Sequence, residues 1–295
     1  MPERFVCSAH SVAEGEALTG TASRYRRWLL IEQPGAWGHE ALVQSDLPSA
    51  VGVRLRDLGR ETRMRVLLIK QRDRPHPSPR RCFAAYTGPH ERRLVTFEVE
   101  RTADLLTLDL RRLAADRFPG FGTTVPGPLY VVCTHGKHDP CCATHGGPVA
   151  RALEGFSDGA VWEATHVGGD RFAANLVCFP HGVYYGRVPA DRATAVASAY
   201  AAGLVDLEHY RGRSCYPPAV QAAEEHLRRR LGLVGVDDLT LRSHRRDGRR
   251  HRVEFDGPEG VLGVEVEVAP GAPRPLTCKA TQEHHPRELA VRDAE

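Results

Sequence analysis

The sequence predicts an α/β protein. Apolar runs of strand length, among them Trp28 to Ile31, Met64 to Lys70 and Leu129 to Val132, alternate with stretches of helical character. Hydrophobic residues make up 41% and charged residues 26% of the chain, which is ample core material and excludes a disordered polymer. The 28 Gly and 21 Pro follow no period, which excludes a collagen-like chain.

The elements follow in order. Trp28 to Ile31 reads as a buried strand, Pro34-Gly35-Ala36-Trp37-Gly38 as a turn, and His39 to Val43 as a helix start. Met64 to Lys70, Cys82 to Tyr86, Leu94 to Val99 and Leu105 to Leu110 are further apolar runs of strand length. Pro119-Gly120, Pro126-Gly127 and Pro128 mark a linker over 117–128. Leu129 to Val132 is a buried strand that delivers Cys133 at its C-terminal end. A loop then runs to Gly147, and Pro148 opens a helix. Val161 to Thr165 is a strand ending at His166. Asn175 to Phe179 and Val183 to Tyr185 pair as a hairpin, and Pro189-Ala190-Asp191 caps a helix to about Leu204.

Strand, helix, strand, hairpin, helix over 129–205 is the thioredoxin-like order. Trp28 to Leu110 runs in a similar order, that of a diverged repeat without the cysteine pair. Beyond Arg211, a helix over 217–231 and strands at Leu239 to Leu241, Val253 to Phe255 and Val261 to Val268 form a small α+β segment. The last strand sets Leu262, Val264, Val266 and Val268 on one face. Arg242 to Arg252 reads as a basic hairpin tip, either simply solvated or docking an acidic redox partner. The expected domains are residues 1–116, 121–205 and 211–295, in line with about 100–200 residues for a typical domain.

The net charge of +3 is too small to mark a nucleic-acid partner. Only Lys70, Lys137 and Lys279 are lysines, so the basic residues are almost all Arg, as a GC-rich genome would encode them. The N-terminus lacks the apolar core of a signal peptide, and no stretch approaches the ~18 apolar residues that span a bilayer. A cytoplasmic protein with no membrane partner is expected. In that compartment eight cysteines serve as core, catalyst or metal ligand rather than as a disulfide framework.

Chemistry concentrates in two segments, Cys133-Thr-His-Gly-Lys-His-Asp-Pro-Cys-Cys142 and His166-Val-Gly-Gly-Asp-Arg-Phe-Ala-Ala-Asn175. Both follow buried strands, where α/β sheets bind ligands. Thiolate and imidazole are the donors that zinc and iron–sulfur sites prefer. Cys141 and Cys142 are neighbours whose side chains diverge, so one of them faces the site. Gly168 and Gly169 suit a positive φ or a close approach to a cofactor, and equally a plain tight turn. Cys178 and Cys82 sit inside apolar runs as inert thiols, while nothing near Cys7, Cys215 or Cys278 recommends them as ligands. The chain has no C-x-x-C dithiol, phosphate-binding glycine loop or G-x-S-x-G elbow. The C-x8-C spacing is no standard zinc finger, though the ligand types suit zinc.

These segments resemble the sucrase/ferredoxin-like family, a branch of the thioredoxin-like [2Fe–2S] ferredoxins. The likeness continues through Phe179-Pro-His-Gly-Val-Tyr-Tyr-Gly-Arg-Val188, Ala22 to Leu30, Arg213 to Gln221 and Leu276 to Lys279. It implies an electron carrier rather than a catalyst, with no carboxylate pair for glycoside cleavage. It implies a [2Fe–2S] cluster held by Cys133 and Cys142 on one iron. The other iron takes His166 and the position of a second histidine, which is Asp170 here. A carboxylate is a harder donor than imidazole. Three outcomes stay open: Asp170 ligates, His181 or Cys178 substitutes, or the cluster is lost. Gly168 and Gly169 would fold the loop over the cluster and bring backbone N–H donors to it. The implied partners are a flavoprotein or ferredoxin reductase as donor and an unidentified redox acceptor. Two rivals remain: a zinc-bound or metal-free interaction module, and a thiol enzyme using Cys141 or Cys142 with His135 or His138.

Overall fold

Alternation along the strand Leu129–Cys133 sends Leu129, Val131 and Cys133 to one face and Tyr130 and Val132 to the other, and both faces are buried. The structure is a computed structural model that describes residues 5–72, 74, 78–114, 122–157 and 159–294. In chain order its elements are α1 (Cys7–Ala13), β1 (Arg27–Glu32), α2 (Ser49–Thr62), β2 (Met64–Lys70), β3 (Arg80–Thr87), β4 (Arg92–Val99), β5 (Thr123–Thr124) and β6 (Leu129–Cys133). There follow α3 (Pro140–Ala152), β7 (Val161–Ala164), β8 (Leu176–Phe179), β9 (Val183–Tyr185), α4 (Ala193–Ala201), β10 (Tyr210–Arg213) and α5 (Pro218–Leu231). The chain closes with β11 (Thr240–Asp247), β12 (Arg250–Gly257), β13 (Gly260–Pro270) and β14 (Arg287–Asp293).

Ten strands form one curled mixed sheet in the order β10-β9-β8-β6-β7-β2-β1-β3-β4-β5. It contains two parallel pairs, β1 with β2 and β6 with β7, each linked by a helix. Each pair is extended by an antiparallel hairpin, β3–β4 or β8–β9. The two units meet where β2 runs antiparallel to β7, Ile69 opposite Ala164 and Lys70 opposite Glu163. Strands from 1–116 and from 121–205 thus share one sheet. Inside the curl the rings of Trp28 and Phe179 lie 5.1 Å apart and those of Phe83 and Trp162 5.5 Å. Each such buried ring contributes about 1.5–3 kcal/mol. On the outer face, α2 covers Leu29 and Ile31, while α3 and α4 cover Tyr130 and Val132.

The C-terminal strands β11 to β14 form a separate antiparallel sheet. Its Val253, Phe255, Val264 and Val266 pack on Val220, Ala223 and Leu227 of α5. The alternation expected of Val261 to Val268 holds, with Val264 and Val266 buried.

Several elements differ from expectation. His39 to Val43 is a set of turns, and the helix waits for Ser49. Leu105 to Leu110 lies in 3-10 turns rather than a strand. Within 117–128, Pro119-Gly120 lies outside the described residues, and Thr123–Thr124 adds an edge strand to β4. Arg242 to Arg252 forms the body of β11 and β12, paired across the hairpin with the turn at Gly248. The largest difference is α3. It starts at Pro140, with Pro148 inside it. Asp139 caps it by accepting the Cys141 N–H at 2.9 Å, and Pro140 suits the first helical position, where an N–H has no partner. Cys141 and Cys142 therefore lie in the first turn of a helix, where a step of about 100° separates neighbours.

Candidate metal centre

Cys133 ends β6 on the inner face of the curl, fully buried. The α3 helix approaches this strand end so closely that a Cβ on Gly146 would lie 2.0 Å from the Cys133 carbonyl oxygen. That contact seats the first turn of α3 beside the strand end, and Cys142 joins Cys133 in the inner core. Cys141 points the other way, toward Cys7 and Cys278.

The second loop leaves β7. Thr165 is tied to β2 by its Oγ1, which accepts the Leu68 N–H at 3.1 Å. His166 follows, its N–H donating to His135 Nδ1 at 3.2 Å and its carbonyl accepting from Arg65. Gly168 and Gly169 then turn the chain with φ of 109° and 81°, which L side chains rarely adopt. Behind them lies Arg211, wholly buried. It donates to Gly168 O at 3.1 Å, to Asn175 Oδ1 at 2.6 Å and to Thr21 Oγ1 at 3.0 Å. Asn175 Nδ2 in turn donates to Gly169 O at 2.8 Å. The turn carries Asp170 back toward His166, its Oδ1 2.9 Å from His166 Nδ1 and 3.5 Å from Cys142 Sγ.

Cys133, Cys142 and His166 thus have ligand atoms within 4.8 Å of one another, and so do His138, His166 and Asp170. All four residues expected from the sequence come together, with Gly168 and Gly169 forming the turn between His166 and Asp170. The alternative ligands do not reach the site. Cys178 faces the outer core with α3 and α4, and burial alone pushes its thiol up. His181 bonds the Tyr200 hydroxyl at 2.6 Å and lies 3.6 Å from Asp237.

The protonation pattern follows from contact. A hydrogen bond from Cys142 holds the Cys133 thiol well below its ordinary value against the cost of burial, and His166 adds to the effect. The Cys142 thiol is pushed up by that same bond, by burial and by the negative charge of Cys133 and Asp170. Burial pulls His166 down, but its bonds to Asp170 and Cys133 outweigh this and raise it to about 9. Burial raises Asp170, and its bond to His166 more than reverses this. The two thiols, the imidazole and the carboxylate share protons in one compact network. A metal replaces its shared protons.

Two further residues, outside the expected ligand set, shape the site. His138 stacks on His166 at 3.9 Å and 18°, and burial followed by the His166 charge brings it down to about 4. The exposed His39 stacks on His138 at 5.1 Å, so three rings lead from the site to the surface. Arg211 is the other, a single Arg among many in the sequence. His135 is fixed by both ring nitrogens, Nε2 bonding Gly38 O at 2.7 Å. It has no nitrogen free to activate a thiol, which removes one partner from the thiol-enzyme reading.

The donors are two sulfurs, an imidazole and a carboxylate in a site shielded by the core. This set suits zinc and iron alike. The sucrase/ferredoxin-like family profile matches residues 18–212. Altered inheritance of mitochondria protein 32 of Meyerozyma guilliermondii is 33% identical over 95 residues, which cover 28% of this chain and 34% of the relative. The chain therefore spans about a third of the length of that curated relative. No solved structure matches. No helix among the described residues is long and apolar enough to cross a membrane.

Proposed function

The chain belongs to the sucrase/ferredoxin-like family, and from that premise we propose that it is an electron-transfer protein. Cys133 and Cys142 would hold one iron of a [2Fe–2S] cluster and His166 and Asp170 the other, within a thioredoxin-like unit over 121–205. The observation that carries this reading is the convergence of the two thiols with His166 and Asp170 at one shielded point. Bound there, the cluster supplies one-electron redox chemistry.

The chain's own residues do the rest. The core around Cys133 and Cys142 keeps water from the sulfurs. Gly168 and Gly169 would let the loop fold over the cluster and supply backbone N–H donors, and the Arg211 cation behind it favours the more negative, reduced state. His166, His138 and His39 form a stacked ring-to-ring route to the surface, where a flavoprotein or ferredoxin reductase and a redox acceptor would dock. Such contacts are small and transient.

A second reading has its own observation. The ligand contacts of 2.9 Å and 3.5 Å made by Asp170 are those of donors around a single ion, so a binuclear cluster would have to part the two pairs. That reading is one tetrahedral zinc on the same four residues.

Metal analysis of anaerobically purified protein tests both. The cluster predicts brown protein with iron and labile sulfide in equal amounts. Cys133→Ser or Cys142→Ser then bleaches it, while Cys141→Ser leaves the colour. Colourless protein that loses one zinc per chain in Cys133→Ser establishes the second reading and refutes the first.

A further inference from the structure

We propose that Cys7, Cys141, Cys278 and Asp139 form a second metal site, separate from the first, that holds a structural zinc ion. Three sulfurs from distant parts of the chain meet there. Cys7 Sγ lies 3.6 Å from Cys141 Sγ, Cys141 Sγ 3.4 Å from Cys278 Sγ, and Cys278 Sγ 3.5 Å from Cys7 Sγ. Both Asp139 oxygens lie 3.8 Å from Cys7 Sγ. A tetrahedron with zinc–sulfur bonds of about 2.3 Å has ligand edges of about 3.8 Å, and zinc–oxygen bonds shorten the mixed edge to about 3.6 Å. The three sulfur–sulfur edges and the Asp139–Cys7 edge sit close to those figures, and all four donor atoms lie within 4.8 Å of one another. An iron–sulfur cluster would need the sulfurs farther apart, since irons and sulfides lie between them. A disulfide would leave one of three thiols unpaired.

The surroundings are those of a closed site. Cys7, Cys141 and Asp139 are 1%, 3% and 1% exposed. Ala173 and Phe5 pack around them. The Cys7 N–H lies 3.4 Å from Cys278 Sγ, and the Ser8 hydroxyl 3.3 Å from Cys141 Sγ, both donating to sulfur as outer-shell groups around thiolates do. Asp139 accepts the Cys278 N–H at 2.7 Å as well as capping α3.

The site also explains what keeps two weak segments in place. The seven-residue α1 is too short to be stable alone, and the stretch around Cys278 lacks regular structure. Cys7 and Cys278 are 271 residues apart, and both are fastened to the first turn of α3. From there α1 reaches the turn at Asp170–Phe172, where Glu16 pairs with Arg171 at 2.9 Å and with Arg274 at 3.3 Å. Adjacent cysteines of one helical turn thus serve two sites, Cys142 the first and Cys141 the second.

The test is metal content in two backgrounds. In the otherwise wild-type chain, Cys141→Ser and Cys278→Ser should each lose one zinc per chain and keep the metal of the first site. In a Cys133→Ser/Cys142→Ser chain, one zinc should remain, and cobalt(II) in its place should show tetrahedral d–d bands with sulfur-to-metal charge transfer. Asp139→Asn should release zinc to a chelator about tenfold faster or more. The proposal is overturned if natively folded wild-type protein takes up neither zinc nor cobalt at these residues, if Cys141→Ser retains full zinc, or if mass spectrometry finds Cys7, Cys141 or Cys278 in a disulfide in protein purified anaerobically without added reductant or oxidant.

Discussion

Gly169→Ala tests whether the ligand loop is held in place by Arg211. Gly169 has φ 81° and ψ 59°, and a Cβ added there would lie 2.3 Å from Arg211 Nη2 and 2.9 Å from its Cζ. Arg211 cannot retreat without leaving Gly168 O, Asn175 Oδ1 and the Thr21 hydroxyl. The left-handed backbone costs an alanine about 1–2 kcal/mol. Forcing a methyl group against a buried side chain adds about 1–3 kcal/mol. The sum is a loss of about 2–5 kcal/mol. Gly203→Ala is the control, since Gly203 has φ 76° but a Cβ there would meet nothing within 4 Å. It should show the backbone cost alone. Urea denaturation followed by the fluorescence of the buried Trp28 and Trp162 gives both values. Metal retention should fall in Gly169→Ala and stay intact in Gly203→Ala. Equal destabilisation by the two alanines would refute the role given to Arg211.

Three more expectations follow from the same structure. Glu224 is wholly buried, 3.0 Å from Arg228 and 3.9 Å from Arg213, and accepts from the Tyr210 hydroxyl at 2.8 Å. Glu224→Gln leaves two buried cations uncompensated and should cost about 3–5 kcal/mol in chemical denaturation; a change under about 1 kcal/mol would contradict this. Burial, then Arg213 and Arg92, bring His181 down to about 4 despite Asp237. Unfolding raises it back to about 6.5, so its contribution is complete above that pH and is lost as pH falls toward 4, by at most about 3 kcal/mol. Stability curves at pH 7 and pH 4.5 should converge for His181→Gln relative to wild type, and parallel curves would show that this histidine is not the group responsible. In the proposed cluster, His166→Cys replaces imidazole with thiolate and should lower the reduction potential measured by voltammetry, an effect that a residue outside the ligand set would not produce.

The α/β class and the strands of the two parallel pairs were legible in the sequence for local reasons. Buried strands read as apolar runs, and ligands collect where such strands end, so Cys133 and His166 were marked by their position alone. Cys142 and Asp170 were picked out only by the resemblance to the sucrase/ferredoxin-like family, whose motif positions they occupy. The start of α3 was misread because Pro148 looked like a helix opener, while the Asp139-Pro140 start sat inside what read as a ligand loop. Nothing local distinguished Arg211 from its many sister arginines, because its role depends on being buried behind a turn some forty residues earlier.

By itself, then, the sequence determined what neighbours in the chain can determine: strand and helix content, the diverging directions of Cys141 and Cys142, and the two strand-end loops that carry Cys133 and His166. Only the tertiary structure decided that β2 pairs with β7, so that two parallel units share one sheet, and that Cys7, Cys141 and Cys278 meet. Periodicity and caps are written within a few residues, because backbone geometry repeats every two to four. Contacts across 134 to 271 residues have no such period. They exist only once the sheet has curled and the terminal segments have packed against α3.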